Sequence, residues 1–312
     1  MTQRGRGGRG TWPILTLLAL LAATLTLLEL VERRRPGGGR TATTSRSAHR
    51  PFRRSAADHP PGAVPQRSPD GRTGSDPDWI PEAGSPTRVA IVIDDVGFEE
   101  GPALELSRLG IPLTFAILPR QRYSKILAEK LRSGGHEVIL HLPMEPIDYP
   151  HSNPGAGAVA EGMEPGEIAT AVLRDLEDVP GAVGLNNHMG SRATADAAVM
   201  RAVLEVARAR GLYFLDSRTT TETIGFEMAR NMGVPAIERT IFLDDRREAS
   251  YIEGQVRGLL RRAREGGAAV AIGHPDPVTV KVLEHSVGLL RSEGIQVVPV
   301  SQLVLEARRG SG

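Results

Sequence analysis

From residue 88 onward the chain repeats one pattern, a short apolar run followed by a stretch of helical period, and few architectures accept it. RVAIVID (88–94) reads as a buried strand, and residues 99–109 as a helix stopped by Gly110. LTFAIL (113–118), EVILHL (137–142), AVGLNN (182–187), LYFLD (212–216), a run through 236–243, AAVAIG (268–273) and QVVPV (296–300) continue the strand series. Helical periods fill 122–133, 165–179, 194–210, 221–232, 248–265 and 277–293. Strands alternating with helices predict parallel βαβ units. About seven parallel strands in one α/β domain at 88–305 suit a distorted, closed or nearly closed (β/α) barrel better than a small open sheet. Residues 306–312 are expected to be a tail.

The segments before residue 88 differ in kind. Residues 13–28 carry no charge, and Leu30 and Val31 extend the run past Glu29, which is long enough for one membrane-spanning helix. Arg4, Arg6 and Arg9 precede it like the charged start of an export signal, but ERRRP follows where a small-residue cleavage site would stand. Residues 1–31 are therefore expected to be an uncleaved anchor in the inner or plasma membrane, with the globular domain outside the cytoplasm. Arg33, Arg34 and Arg35 make the second flank as basic as the first, so charge alone does not set the orientation. Residues 32–87 are rich in Pro, Gly, Ser, Thr and Arg and cannot bury enough apolar surface to fold, so they read as a disordered tether. The formal net charge of +1 gives no bulk attraction to nucleic acid, and none is expected as a partner. With no cysteine, the chain has no disulfide, thiolate nucleophile or Cys-ligated zinc.

Polar residues fall at the strand ends. Asp94 and Asp95 end the first strand, His141 the third, and His188 follows the fourth. Asp216 ends the fifth, Asp244 and Asp245 follow the sixth, and His274 ends the seventh. In a parallel barrel those ends open on one face, where the side chains converge. One Asp and two His around a shared point suit a divalent ion with an open position: zinc, or else manganese, cobalt or iron. A second Asp can then take a proton from water, and a His on the far side can give one to a leaving amine. Each residue also has a plainer use: Asp94 or Asp95 as a helix cap, His141 as a core histidine, His188 and His274 as turn and loop residues. His136 precedes its strand and is expected to be structural; no chemistry is assigned to His151 or His285.

Residues 88–305 resemble the divergent polysaccharide deacetylase family, a branch of the carbohydrate esterases with a distorted barrel. VAIVIDDVG (89–97) is similar to the superfamily's Asp-Asp motif, LTFAILP (113–119) to its next strand, and GHEVILHLPMEP (135–146) to its second motif. GLNNHMGSR (184–192) and AIGHPDP (271–277) resemble the divergent branch itself. The resemblance implies that Asp94 is the catalytic base, Asp95 a metal ligand, His274 the catalytic acid, and Asp216 a residue that orients the base or the metal site. Ordinary members carry His-x-x-x-His in the second motif, where this chain has His141 and Glu145; Pro143 and Pro146 argue against helical geometry there. Asn187-His188, with Arg192 nearby, stands where an Arg-Pro motif is usual, so His188 is inferred to replace the missing ligand. Glu145 and Arg192 are further candidates. The expected activity is removal of N- or O-acetyl groups from an envelope polysaccharide, dependent on one divalent metal, zinc foremost. A carbohydrate- or envelope-binding scaffold with weak or no catalysis is the alternative. Glycoside hydrolysis by Asp94 and Asp216 would leave the histidines without a purpose.

Overall fold

The computed structural model describes residues 86–310. The anchor expected at 1–31 and nearly all of the 32–87 tether lie outside the described residues. Among those described, no helix is long and apolar enough to cross a membrane.

The elements follow in the order β1 Arg88–Val96, α1 Gly101–Leu106, β2 Thr114–Ile117, α2 Ser124–Ser133, β3 Glu137–Met144, α3 Pro165–Asp178, β4 Gly184–Met189 and a 3-10 turn at Ala193–Ala195. Then come α4 Ala197–Arg210, β5 Tyr213–Asp216, α5 Gly225–Asn231, β6 Ala236–Glu238, β7 Ile241–Phe242, α6 Ala249–Gly266, β8 Ala268–Gly273, α7 Pro277–Ser292, β9 Gln296–Val297 and α8 Val300–Gly310. Local chemistry explains several helix boundaries. Asp196 accepts from the amides of Ala198 and Val199 to start α4, and Gly211, at φ 67°, ends it. Asp276 starts α7 by accepting from Val278 N, with Pro277 in the first turn.

All strands pair in parallel, in the order β6-β5-β4-β3-β2-β1-β8-β7, with β9 also on β1. Of the two forms expected, a closed or a nearly closed barrel of about seven parallel strands, the sheet takes the second, and one strand divides. The run expected as a single strand at 236–243 changes partner midway: Arg239 N still donates to Asp216 O on β5, while Thr240 N donates to Val270 O on β8. The two edges of the sheet are thus consecutive in sequence, joined through residues 239–240 rather than by a ladder. Three Cα steps separate Glu238 from Ile241, so the edges lie within roughly 11 Å of each other. The sheet is curled, with a seam crossed by the backbone. A second correction is at 296–300, where Pro299, which has no N–H, stops β9 and α8 begins at once. That helix runs to Gly310 and takes in residues 306–310, expected to be tail.

Successive strand residues alternate between two cores. Val89, Ile91, Ile93, Val138, Leu140 and Phe214 face outward into the main core beneath the helices. Ala90, Val92, Ala116, Ile139, Tyr213, Leu215, Val270 and Ile272 face inward, with Val300, Leu303 and Val304 of α8 packed against them. Burying a large aliphatic or aromatic side chain of this kind contributes about 1.5–3 kcal/mol. At the end where the strands begin, Glu137 Oε1 accepts from Thr114 Oγ1 (2.9 Å), Tyr213 OH (2.8 Å) and Ser301 N (3.2 Å), which ties α8 to the sheet. The interior is therefore filled from that end, and the opposite end is left for polar groups.

Candidate metal centre

Counting by twos from the inner core leads to the site. Ala90 and Val92 are followed on the same face by Asp94, Ile139 by His141, and Val270 and Ile272 by His274. On β4 the same face carries Asn186 and His188, and Asn186 lies opposite His141 in the β3–β4 register. Asp95 would face the other way in a regular strand. It does not, because its backbone is left-handed (φ 56°) and the β1–β2 register shifts between Ile93 and Val96. Adjacent carboxylates thereby meet at one mouth. The other non-glycine residues with positive φ, Arg120, Met189 and Arg218, also lie at or just past strand C-termini, so the strained backbone gathers at this end of the sheet.

One oxygen of Asp95 and one nitrogen each of His141 and His188 lie within 4.8 Å of one another. Asp95 Oδ1 is 3.1 Å from His141 Nε2 and 2.9 Å from His188 Nδ1, and the two nitrogens are 3.2 Å apart. Three ligands at zinc-like bond lengths around a tetrahedral ion stand about 3.3–3.5 Å from each other, so the triangle is close to the size such an ion needs. Asp95 Oδ1 is buried, and neither imidazole is aligned to donate to it. A divalent cation satisfies all three atoms at once, and these residues fit one.

The tautomer of His141 follows from its neighbours. The Asp94 carboxylate accepts a hydrogen bond at Oδ1 from Asn186 Nδ2 (2.9 Å), which turns the Asn186 oxygen toward His141 Nδ1 at 2.8 Å. His141 then donates from Nδ1 and presents Nε2 to the cluster, an arrangement found behind metal-ligating histidines. Asn186 also donates to Ser217 Oγ (3.1 Å). Burial pushes the Asp94 carboxyl up from its ordinary value, against the lowering influence of His141, His274 and the Asn186 bond. For Asp95, burial also acts upward, but the adjoining imidazoles of His141 and His188 outweigh it and hold it well below the usual carboxylate range. Burial lowers His141, yet the carboxylates of Asp94 and Asp95 raise it on balance, so a proton and a metal compete for the same nitrogen.

Across the mouth, His274 Nδ1 donates to Asp244 Oδ1 (3.0 Å), while Asp244 Oδ2 accepts from His274 N (2.7 Å) and Thr279 Oγ1 (2.8 Å). That leaves His274 Nε2 facing the cluster, 3.6 Å from Asp95 Oδ2. Burial pulls His274 down, but the bond and charge of Asp244, helped by Asp95 and Asp94, push it up to about 9. The imidazole is held protonated at neutral pH.

Three candidates do not join this group. Asp216 follows Phe214 on the outer face, out of phase with Tyr213 and Leu215. Its oxygens accept from Arg218 N, Thr223 Oγ1 and Phe226 N, so it organises the turn into α5 rather than the base or the metal site. Glu145 accepts from Glu161 N and pairs with Arg192, whose guanidinium also donates to Ile147 O; the pair joins the loop after β3 to the loop after β4. Asn186 and Ser217 are residues that sequence reasoning missed, and Asp244, placed at a strand end in the sequence, had no assigned role. His136 accepts from Leu113 N and donates to Ser107 O, which is a structural use.

A family model described as divergent polysaccharide deacetylase matches residues 91–304, which is most of the chain and runs from β1 into α8. The chain belongs to the divergent polysaccharide deacetylase family. An uncharacterised protein of Haemophilus influenzae is 34% identical over 217 residues, covering 70% of this chain and 76% of that protein. The protein YibQ of Escherichia coli K12 is 35% identical over 219 residues, covering 70% of this chain and 68% of the other. The crystal structure of an uncharacterised protein from Agrobacterium tumefaciens C58 superposes with a TM-score of 0.67 at 25% identity, over 74% of this chain and 97% of that one. The divergent deacetylase fold is thus shared over nearly the whole of a solved chain.

Proposed function

We propose that this protein is a metal-dependent hydrolase that removes acetyl groups from a cell-envelope polysaccharide. The observation that carries the reading is the convergence of three ligand atoms, from Asp95, His141 and His188, between a buried carboxylate and a protonated histidine. Asp95, His141 and His188 would hold the ion, with zinc the best match to one carboxylate and two imidazoles. A divalent ion there supplies Lewis acidity toward an acyl oxygen and toward water. Asp94, held by Asn186, accepts the proton of the attacking water. His274, fixed by Asp244, gives its Nε2 proton to the departing amine or hydroxyl. The neighbouring Asn186 bonds keep base and ligand in a fixed relation, so no reorganisation is needed as charge develops.

The same reading makes residues 1–31 a membrane anchor and 32–87 a tether that holds the domain outside the cytoplasm, on the strength of their composition. The test is acetate release from N-acetylated and O-acetylated glycans by the purified full chain, with metal content measured in the same preparation. Stoichiometric metal with acetate release supports the hydrolase. A metal-free protein that binds glycan without releasing acetate hands the case to the binding scaffold.

A further inference from the structure

A cavity of about 500 Å³ opens beside His274 and Asp95. Its size falls among ligand pockets, roughly 300–1,000 Å³. It lies on the acid side of the mouth, bounded by Phe98 from the loop after β1 and by Pro275 from the loop after β8. Phe98 is 57% exposed, one of few large apolar side chains left open to water among the described residues. An aromatic ring standing at a cavity wall next to the reacting groups offers its negative face to the weakly positive C–H groups of a pyranose.

Carboxylates outnumber the cationic side chains in the walls, where the positive groups are Arg247 and the protonated His274. Glu99, Asp245 and Asp276 line the cavity with Asp244, and Arg247 is the only Lys or Arg among its walls. Asp244 is occupied by His274 and Thr279, and Asp276 is occupied by the α7 amide and by Arg247 at 3.5 Å. Glu99 and Asp245 are exposed at the cavity wall, and Asp245 Oδ2 also accepts from Tyr251 OH at 3.5 Å.

We infer that this cavity seats the sugar on the leaving-group side, stacking it on Phe98, and that Glu99 and Asp245 sort that sugar by charge, admitting neutral or amine-bearing rings and rejecting uronate-like anionic ones. The inference rests on the hydrolase reading for its orientation, because the group that receives the His274 proton must sit against His274 Nε2. If the leaving group is an amine, its product is an ammonium, which suits a carboxylate-lined cavity better than an anion does. Because Glu99 and Asp245 are exposed, the sorting is modest and falls with salt, whereas stacking on Phe98 does not.

The test is calorimetric binding of two unreactive tetrasaccharides, a β-1,4-linked glucosamine tetramer and a galacturonate tetramer, to the zinc-loaded full chain. Expected is a preference of roughly tenfold for the glucosamine tetramer at low salt that shrinks in 1 M salt. Phe98→Ala should weaken its binding by roughly tenfold at either salt concentration. The double variant Glu99→Lys, Asp245→Lys should abolish or invert the preference without loss of metal. Equal affinity for both tetramers, no binding of either, or no effect of Phe98→Ala overturns the assignment. Acetate release is measured alongside: if it is absent while binding follows the expected pattern, the hydrolase reading fails and the charge-sorting cavity stands.

Discussion

Asp95, His141 and His188 aim three electron-pair donors at one another, whereas Asp244 and His274, a few ångströms away, complete each other. The first set comes from β1, β3 and β4 in fixed register, with an orphan carboxylate oxygen at its centre. The second comes from the loops after β7 and β8, and both oxygens of Asp244 have a donor. One half of the mouth needs an ion to be satisfied, and the other is satisfied by protein alone. Removing the metal should therefore disturb the first half and leave the dyad standing.

The largest effect is expected from breaking the first half. Asp95→Ala and His141→Ala should each lose most of the bound metal, measured by elemental analysis, and lower acetate release roughly 10⁴-fold. Full metal in Asp95→Ala, His141→Ala and His188→Ala alike would remove the assignment. Next come the proton-transfer groups, since His274→Ala and Asp94→Asn should each cost roughly 10²–10⁴ in turnover with metal retained. Unchanged turnover in His274→Ala would mean that the acid lies elsewhere.

A smaller effect sharpens the comparison from the acid side. Asp244→Asn should slow turnover by roughly 10–100-fold and leave the metal in place. The sign of its pH effect is fixed. Asp244 raises His274, an acid that works only while protonated, so the contribution of His274 is in place below its folded value and is lost as pH rises through about 9. Without Asp244 that alkaline limb should move down toward the ordinary histidine value of about 6.5. An unmoved limb would mean that another group sets it. The smallest effect on chemistry is expected at Asp216, outside both halves. Asp216→Ala should cost about 1–3 kcal/mol in stability, because Phe226 N–H and Thr223 Oγ1 lose a buried acceptor, with metal content unchanged. Metal loss in that variant would put Asp216 back into the site.

Asp216 also shows what the sequence made legible. Strand ends were readable from apolar runs, and the residues at those ends do gather at one mouth. The face was not used, although alternation carries it: Asp216 is out of phase with Tyr213 and Leu215, while Asp94, His141 and His274 are in phase with the inner residues before them. Asn186 was overlooked because an amide inside an apparent strand looks like filler until its three partners, 31, 45 and 92 residues away in sequence, are placed beside it. Asp95 carried the opposite lesson. Alternation sends it away from Asp94, and only a left-handed backbone brings it back, a conformation that no run of side-chain types announces. The seam at 239–240 falls on Glu238, Arg239 and Thr240, polar residues between two short apolar runs that pair with different strands.

The pairing of β1 has a consequence for the order in which the molecule can be made. This strand is the first of the domain to leave the ribosome, yet it pairs with β8 and β9, and Arg88 bonds Gln296 across 208 residues of chain. Nearly the whole domain must be synthesised before this strand finds β8 and β9, and contacts of such long sequence separation form slowly. During that interval β2 can cover one edge of RVAIVID, but the edge that β8 and β9 complete stays bare, so the newborn chain depends on whatever shields it until they arrive.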